Sequence, residues 1–391
     1  MSDTSRPLLS RAFLVCFAAN LLQGLAFNLF LHLPGYLHDL GAGDTQIGFL
    51  TGLTAFAAIV LRGPLGPLMD RHGRRGITWA GGLLMVGSLS LYLIVEAIDV
   101  TLILVRILHG LAEAILFTAL FTYAADVVPE QSRTQGLALF GVSGMLPISL
   151  GGVLGDALLA RGGFPLLFEA AVGISLFALV VSLALPRLER LRPAEGERVG
   201  MRAALGQRDL LPLWWITSVF FLVLAAFWIF IKRFVDETGV GSVGLFFSAY
   251  TVAALFVRIA AGRLPDRVGP KRVLAPSLAC LAVGFAVMLG ATSAAALAVA
   301  GLLCGVGHGY AFPILFGMVV TRTPAANRGA AMAIYTGLSD LGMLLGGPLF
   351  GALVDLLGFG PMFAFAGVVT LAGSVVFFVW DARVAGPRPA G

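Results

Sequence analysis

The stretch GPLMDRHGRR begins at Gly66, and a similar stretch, GRLPDRVGPKR, begins at Gly262. Both carry several charges in a chain of 391 residues that is 58% hydrophobic and only 12% charged. Soluble domains contain about 25% charged residues. The composition, with a mean hydropathy of +0.94, therefore predicts a membrane protein in which one charged motif occurs twice.

Twelve apolar runs fill most of the chain, and each has roughly the 20 residues that a helix needs to cross a bilayer. The alternating ten-residue segments that are typical of a membrane β-barrel are absent from the sequence. Within hydrocarbon, a helix satisfies its own backbone hydrogen bonds. We predict an all-α membrane protein with twelve transmembrane helices, near residues 12–37, 47–68, 77–95, 102–125, 137–160, 164–185, 213–231, 243–264, 273–291, 294–320, 330–354 and 363–380.

The basic residues indicate how the chain is oriented. Most of the 26 lysines and arginines fall near the termini, in the central polar stretch or in every second loop. Cytoplasmic loops carry such an excess, so we expect both termini in the cytoplasm and the protein in the cytoplasmic (inner) membrane. The net charge of +5 belongs to these loops and does not indicate a nucleic-acid surface. No cleavable signal peptide is evident, because the first apolar run is too long.

The repeat extends over both halves of the chain. HGLAEAILF at His109 returns as HGYAFPILF at His308. The long polar stretch between the halves predicts a cytoplasmic linker at residues 186–210, between six-helix bundles at residues 1–185 and 211–391. Two similar bundles are the architecture in which rocking gives alternating access to a cavity between them.

The duplicated Gly-x-Leu-x-Asp-Arg-x-Gly motif, the twelve runs and the central linker resemble the major facilitator superfamily of secondary transporters. The resemblance implies two pseudo-symmetric six-helix bundles and a transporter. It also implies that the acid of each motif faces the start of a helix in the other half, where the helix N-terminus favours a carboxylate. We expect a conformational latch on the cytoplasmic side, built from Gly66, Asp70, Arg71, Gly73, Arg75, Gly262, Asp266, Arg267, Gly269 and Lys271.

The glycines of the two motifs have separate physical roles. We expect Gly66 and Gly262 to let two backbones approach closely, and Gly73 and Gly269 to permit tight turns. An arginine also precedes each motif by one helical turn. We expect these arginines, Arg62 and Arg258, to reach the membrane surface or to pair with the motif acids Asp70 and Asp266 rather than to bind substrate.

The fourth predicted span carries Arg106, His109 and Glu113 on one helical stripe. A charge inside a membrane span is costly, so each of these residues requires a reason. Arg106 begins RILHG, which resembles the family pattern Arg-x-x-x-Gly that is tied to proton coupling in relatives. Glu113 could be neutralised by Arg106 or His109, could carry a proton, or could bind a positive charge of the substrate.

Two further residues are candidates for proton coupling or substrate binding in the second half. Asp340, near the middle of the eleventh span, could be the second acid of a proton relay or a substrate ligand. It could equally serve as a cap or in helix packing. His308 in the tenth span could exchange a proton near neutral pH, or could be a hydrogen-bonded packing residue.

The first span places amide side chains on or near one stripe. Such amides could hydrogen-bond a substrate or join helices to each other. Aromatic side chains from the second half could supply flat faces to the same cavity. We expect the substrate cavity to be lined by Asn20, Gln23, Phe27, Asn28, Trp228, Tyr250 and Tyr335.

The sequence favours proton-coupled export of a small amphipathic compound or metabolite by alternating access. A proton symporter that imports a small polar metabolite is the alternative, for which the amides of the first span are suggestive. A non-transporting membrane sensor or scaffold would have no need of two intact motifs. An enzyme is not expected, because no nucleophile arrangement or phosphate-binding loop appears.

The expected partners follow from this function. They are a small-molecule substrate, protons and the lipid bilayer, with no nucleic acid and no cofactor, and we expect a monomer. The three cysteines fall within predicted spans, so they indicate neither a disulfide framework nor a thiolate metal site.

Overall fold

The computed structural model describes residues 8–188, 204–324 and 327–384, apart from the side chains of Asp70, Gln131 and Thr134. The regular elements in these ranges are all helices, which confirms the predicted all-α class. The α-helices are α1 (Arg11–Asn28), α2 (Leu33–Asp39), α3 (Asp44–His72), α4 (Arg74–Leu91), α5 (Val100–Val127), α6 (Arg133–Leu183), α7 (Leu211–Thr238), α8 (Val243–Ile259), α9 (Leu264–Val268), α10 (Pro270–Leu289), α11 (Ala294–Arg322), α12 (Arg328–Leu357) and α13 (Phe359–Val384).

Ten helices in the described ranges are long and apolar enough to cross a membrane, judged by length and composition. One of them, α6, runs for 51 residues, and Gly163 interrupts it with a non-helical φ of 64°. Glycine adopts this backbone conformation at little cost, so the chain turns there between the predicted fifth and sixth spans. Helix α8 is apolar but shorter, with 17 residues. These helices are compatible with the twelve predicted spans.

The chain forms two compact units. The first unit contains Met1–Gly41 and Leu53–Pro193, and the second contains Ala42–Gly52 and Ala194–Gly391. Helix α3 therefore begins in the second unit and ends in the first. Part of the predicted linker, residues 189–203, lies outside the described residues. The domain boundaries drawn from the sequence remain a prediction.

In the first unit, α1 and the turn that follows it lie directly against α6. A Cβ atom on Gly151 would be 2.7 Å from the backbone carbonyl carbon of Asn28. A Cβ atom on Gly155 would be 2.2 Å from the ring of His32. The two glycines are four residues apart and share one face of α6, so they form the small-residue contact that lets membrane helices pack closely.

In the second unit, α12 uses glycines on two faces. A Cβ atom on Gly346 would be 2.6 Å from the Leu222 carbonyl oxygen on α7. On another face, a Cβ atom on Gly351 would be 2.2 Å from the carbonyl oxygen of Asp44, at the start of α3. Close packing on both faces holds the first residues of α3 in the second unit.

The start of α3 is capped by a carboxylate from the end of α12. Asp355 accepts hydrogen bonds from the backbone N–H groups of Asp44 and Thr45, each at 2.8 Å, and from the Thr45 hydroxyl at 2.6 Å. The first N–H groups of a helix lack partners within that helix, and its dipole favours negative charge there. Arg233 on α7 then pairs with the Asp44 carboxylate at 3.1 Å.

The two charged motifs form the predicted tight turns. Gly73 has a φ of 80° and Gly269 a φ of 98°. The predicted close approach of two backbones is wrong for Gly66, because a Cβ atom there would meet nothing within 4 Å. At Gly262, a Cβ atom would be 2.3 Å from the Arg258 carbonyl oxygen, so this glycine relieves a contact within its own turn.

One basic residue of each motif contacts the last helix of its own unit. Arg75 lies 4.2 Å from the ring centroid of Trp79 and donates to the Leu183 carbonyl, at the end of α6, at 3.4 Å. In the second unit, Lys271 pairs with Asp381 near the end of α13. Each motif therefore fastens the ends of helices within one unit.

Asp381 is the most enclosed carboxylate of these contacts. Its side chain is 1% exposed, and it accepts two hydrogen bonds from Arg322, at 2.5 and 3.2 Å. Arg322 also donates to the Asp209 carbonyl at 3.0 Å, which ties the start of α7 to the ends of α11 and α13. A bidentate guanidinium–carboxylate pair combines charge with fixed geometry.

We expect Asp381→Asn to destabilise the protein by about 3–5 kcal/mol, because it leaves the buried Arg322 guanidinium without its counter-charge. Thermal unfolding of the purified protein in detergent measures the change. Asp236→Asn is the matched control, since it removes a helical i,i+4 pair with Lys232 and should cost less than about 1 kcal/mol. Equal unfolding temperatures for the two variants would contradict the importance of Asp381.

Candidate functional site

In the first unit, His109 lies in a buried polar cluster with Tyr92 and Arg106. The Nδ1 atom of His109 is 3.3 Å from the Tyr92 hydroxyl, and Arg106 donates to the same hydroxyl at 3.1 Å. All three side chains are buried. A phenolic oxygen can accept one hydrogen bond and still bond to a second partner, so Tyr92 links the guanidinium to the imidazole.

Aromatic rings enclose the imidazole of His109. The ring of Phe30 meets it edge to face, with centroids 4.6 Å apart, and Phe27 does the same at 5.6 Å. Phe168 stacks on Tyr92 at 5.4 Å. The Nε2 atom of His109 has no hydrogen-bond partner among the described residues. His109 is fully buried, so this nitrogen is not exposed to solvent in this structure.

Glu113 lies one helical turn beyond His109 on α5 and is half-buried. The hydrogen bond of the His109 imidazole goes to Tyr92, and the neutralisation of Glu113 by Arg106 or His109 stays a prediction. Glu113 therefore stays a candidate for proton coupling.

The amides of α1 are engaged in contacts within the first unit. Asn20 donates to the Ser143 hydroxyl at 2.9 Å, and Ser175 donates to the Gln23 oxygen at 3.3 Å. Asn28 donates to the Gly24 carbonyl of its own helix at 2.7 Å. Of the two roles considered for these amides, the contacts favour helix joining. Their role in a cavity stays a prediction.

In the second unit, a row of glycines on α11 brings α8 close. Gly301, Gly305 and Gly309 recur at every fourth residue and so lie on one face. A Cβ atom on Gly305 would be 2.2 Å from the Tyr250 carbonyl oxygen, and one on Gly309 would be 2.9 Å from the Ala254 Cα. This close packing of α8 against α11 fixes the position of Tyr250 relative to His308. His308 lies beside Gly309 on α11.

His308 is nearly parallel to two neighbouring aromatic rings. It stacks on Tyr250 with centroids 5.6 Å apart and on Phe220 at 5.7 Å, at interplanar angles of 16° and 19°. The Tyr250 hydroxyl is hydrogen-bonded to His308 Nδ1. Tyr250 is fully buried, whereas His308 is only partly buried. The two units therefore share one chemical arrangement, a histidine bonded through Nδ1 to a tyrosine hydroxyl.

Arg258 is not placed as the sequence suggested. We expected it to reach the membrane surface or to pair with the acid of its motif, but it donates to the Gly309 carbonyl at 3.2 Å. Its guanidinium carbon lies 5.8 Å from the centroid of Phe312. The carbonyl is accessible because Gly309 has no side chain. Asp266, the motif acid, is exposed.

The remaining predicted residues of the second unit lie near this aromatic group or along α12. Tyr335 is buried and donates to the Phe312 carbonyl at 3.3 Å. Trp228 is partly buried, 6.0 Å from Tyr250 between centroids. Asp340 is half-buried on α12.

The latch acids give no direct evidence for the predicted latch. The side chain of Asp70 lies outside the described part of the structure. Arg71, Asp266 and Arg267 are exposed. The latch therefore stays a prediction.

Several residues of the two clusters were not anticipated from the sequence. They are Tyr92, Phe30, Phe168, Phe220 and Phe312. Each of these residue types is common in apolar membrane spans, so its presence alone predicts no functional role. The signal was the repeated histidine, since a buried histidine within a membrane helix requires a polar partner nearby.

Comparisons with known proteins agree with this architecture. The family model described as Major Facilitator Superfamily matches residues 12–241 and 213–391. An uncharacterised MFS-type transporter of Salmonella typhimurium is 28% identical over 362 residues, covering 88% of this chain and 89% of that protein. The staphylopine export protein of Staphylococcus aureus is 23% identical over 398 residues, covering 96% of this chain and 95% of that protein.

Solved structures show the same fold. A mutant of the nucleoside transporter NupG has a TM-score of 0.81 at 13% identity, covering 95% of this chain and 100% of that chain. The human organic anion transporter MFSD10 has a TM-score of 0.71 at 18% identity, and the match covers 96% of this chain and 100% of that chain. These structures confirm the fold class, and the family model confirms the family resemblance that the sequence motifs indicated.

We expect Gly305→Ala to destabilise the protein by about 1–3 kcal/mol, because the new methyl group would overlap the Tyr250 backbone. Gly317→Ala, on the same helix, is the matched control. A Cβ atom there meets nothing within 4 Å, so the alanine should stabilise the helix by up to about 1 kcal/mol. Thermal unfolding in detergent separates the two, and a neutral Gly305→Ala would show that α8 and α11 are not held by this contact.

Proposed function

The chain belongs to the Major Facilitator Superfamily, and from that premise we propose that it is a proton-coupled exporter of a small amphipathic compound or metabolite. Family membership makes it a multi-pass secondary transporter and not an enzyme. Proton coupling, direction and substrate are the proposed part. Three further points are also proposals: its location in the cytoplasmic membrane, the cytoplasmic position of both termini and its monomeric state.

The observation that carries the proton coupling is the pair of half-buried carboxylates inside membrane-spanning helices, Glu113 on α5 and Asp340 on α12. An ionised carboxylate is expensive within a membrane, whereas a protonated one is much less so. A group that alternates between wet and dry surroundings therefore binds and releases a proton as the helices move. Glu113 and Asp340 are the proposed proton carriers.

The histidine clusters support the same proposal. His308 is partly buried and bonded to Tyr250, so it can exchange a proton with its surroundings through its other nitrogen. His109 is enclosed by aromatic rings and would take part only after a rearrangement of those rings. Arg106 would hold Tyr92, and through it His109, in place.

Export is the proposed direction for two reasons. The staphylopine export protein, whose name gives its direction, covers nearly the whole chain. The alternative, import of a polar metabolite, relied on the amides of α1, and Asn20 and Gln23 are bonded to serines of their own unit. The two charged motifs are the proposed cytoplasmic latch of the cycle, with Asp70 and Asp266 as its acids.

We expect wild-type protein in liposomes to move protons when a pH gradient is imposed and a transported compound is present. The measurement is internal pH, followed with a trapped indicator dye, across a panel of amphipathic compounds and metabolites. Liposomes that contain the protein in right-side-out or inverted orientation give the direction. Glu113→Gln combined with Asp340→Asn should abolish the substrate-dependent proton flux, because an amide cannot carry the proton.

Asp39→Asn is the matched control, because Asp39 is an exposed carboxylate at the end of α2. This variant should keep the wild-type proton flux. Full proton flux in the double variant would refute the assignment of Glu113 and Asp340. Substrate transport with no proton movement in the wild type would refute proton coupling itself.

A further inference from the structure

Arg258 is a cation within the second unit that lacks an acidic partner. No carboxylate among the described residues lies within ion-pair distance of it. By contrast, Arg233 is paired with Asp44 at 3.1 Å, and Arg322 is paired with Asp381 at 2.5 Å. Arg258 is half-buried, and a charge that is withdrawn from water without a partner is costly, so the missing counter-charge suggests that it arrives with a ligand.

The guanidinium retains free hydrogen-bonding capacity. Arg258 uses its Nε–H group to donate to the Gly309 carbonyl. Its remaining N–H groups make no hydrogen bond to a described residue. A guanidinium presents its donors in a planar fork that matches a carboxylate, and the terminal N–H groups of Arg258 are the half of that fork which is still available.

The surroundings of Arg258 are aromatic. Phe312 faces the guanidinium, and the ring of the buried Tyr335 lies 6.1 Å from that of Phe312 between centroids. His308 contacts Phe312 edge to face, with centroids 5.7 Å apart. A flat aromatic ring such as that of Phe312 can pack against a planar apolar group of a ligand.

The arrangement is held rigidly. The glycine row on α11 sets the backbone of α8 against that of α11, and Gly309 supplies the carbonyl that orients Arg258. Tyr335 is fixed by its bond to the Phe312 carbonyl. A site with fixed side chains loses little freedom when a ligand binds, which favours affinity.

We propose that Arg258, with the ring of Phe312, binds the carboxylate of a substrate that carries an aromatic ring. The inference rests on the proposed transport function and names the substrate class of that transporter. The carboxylate takes the terminal N–H groups of Arg258, and the aromatic ring packs against Phe312. The amphipathic substrate is thus a planar organic anion.

Calorimetric titration of the purified full-length protein in detergent tests this site without any need for transport. The probes are 1-naphthoate and 1-naphthamide, which share one ring system and differ in charge. A charge-assisted hydrogen bond contributes about 1.5–3 kcal/mol, so the wild type should bind the acid roughly 10- to 150-fold more tightly than the amide.

Arg258→Gln should abolish this preference and leave amide binding as it was. Arg258→Lys should retain part of the preference, because it keeps the charge and loses the planar fork. Phe312→Leu should weaken the binding of both probes to a similar extent. Arg272→Gln is the control for net charge, since Arg272 is exposed on α10, and it should behave like the wild type.

The proposal is overturned if the wild type binds neither probe, if it binds both equally, or if Arg258→Gln keeps the preference for the acid. These outcomes do not depend on the proton-flux measurement. Anion binding without proton coupling would refute the proposed coupling and leave this site intact. Proton-coupled transport of compounds whose binding does not depend on Arg258 would refute this site and leave the proposed coupling intact.

Discussion

A charged side chain within a membrane-spanning helix must find its partners inside the protein, because hydrocarbon offers none. This constraint explains much of the polar structure in the described residues. Asp381 gathers Lys271 and Arg322 around one buried carboxylate. Asp355 satisfies the first N–H groups of α3. In each case the polar group is placed at a helix end, where unpaired backbone groups are available as well.

The same constraint makes close helix packing necessary, and glycines provide it. A partner must come within hydrogen-bond distance, and the helices that carry it must therefore approach nearly to backbone contact. Gly155 makes room for the ring of His32, and Gly305 makes room for the backbone of Tyr250. In the second unit, the glycine row of α11 brings α8 close and so places Tyr250 within hydrogen-bond distance of His308.

The fold was largely predictable from the sequence, and the site only in part. Hydrophobic run length and the duplicated motif gave the helical class and the family, because both signals are local and repeated. The positive φ of Gly73 and Gly269 followed from the motif for the same reason. The close approach expected at Gly66 was wrong, since a glycine in a helix does not reveal whether another helix faces it.

Contacts between residues that are far apart in the chain could not be predicted from one sequence. His109 and His308 were recognised as candidates, but their partners Tyr92 and Tyr250 lie on other helices, at positions that do not correspond between the units. Arg258 was assigned to the surface because its distance from the motif was the only information available. Its actual partners depend on the path of α11, which passes Gly309 next to it.

The central claim is that carboxyl groups inside the spans take up and release protons. Infrared difference spectra of the reconstituted protein, recorded between high and low pH, measure this directly and require no substrate. The account predicts a carbonyl band of protonated carboxyl groups at low pH that is reduced by Glu113→Gln and by Asp340→Asn, and that Asp39→Asn leaves in place. A band that both amide variants leave unchanged would contradict it.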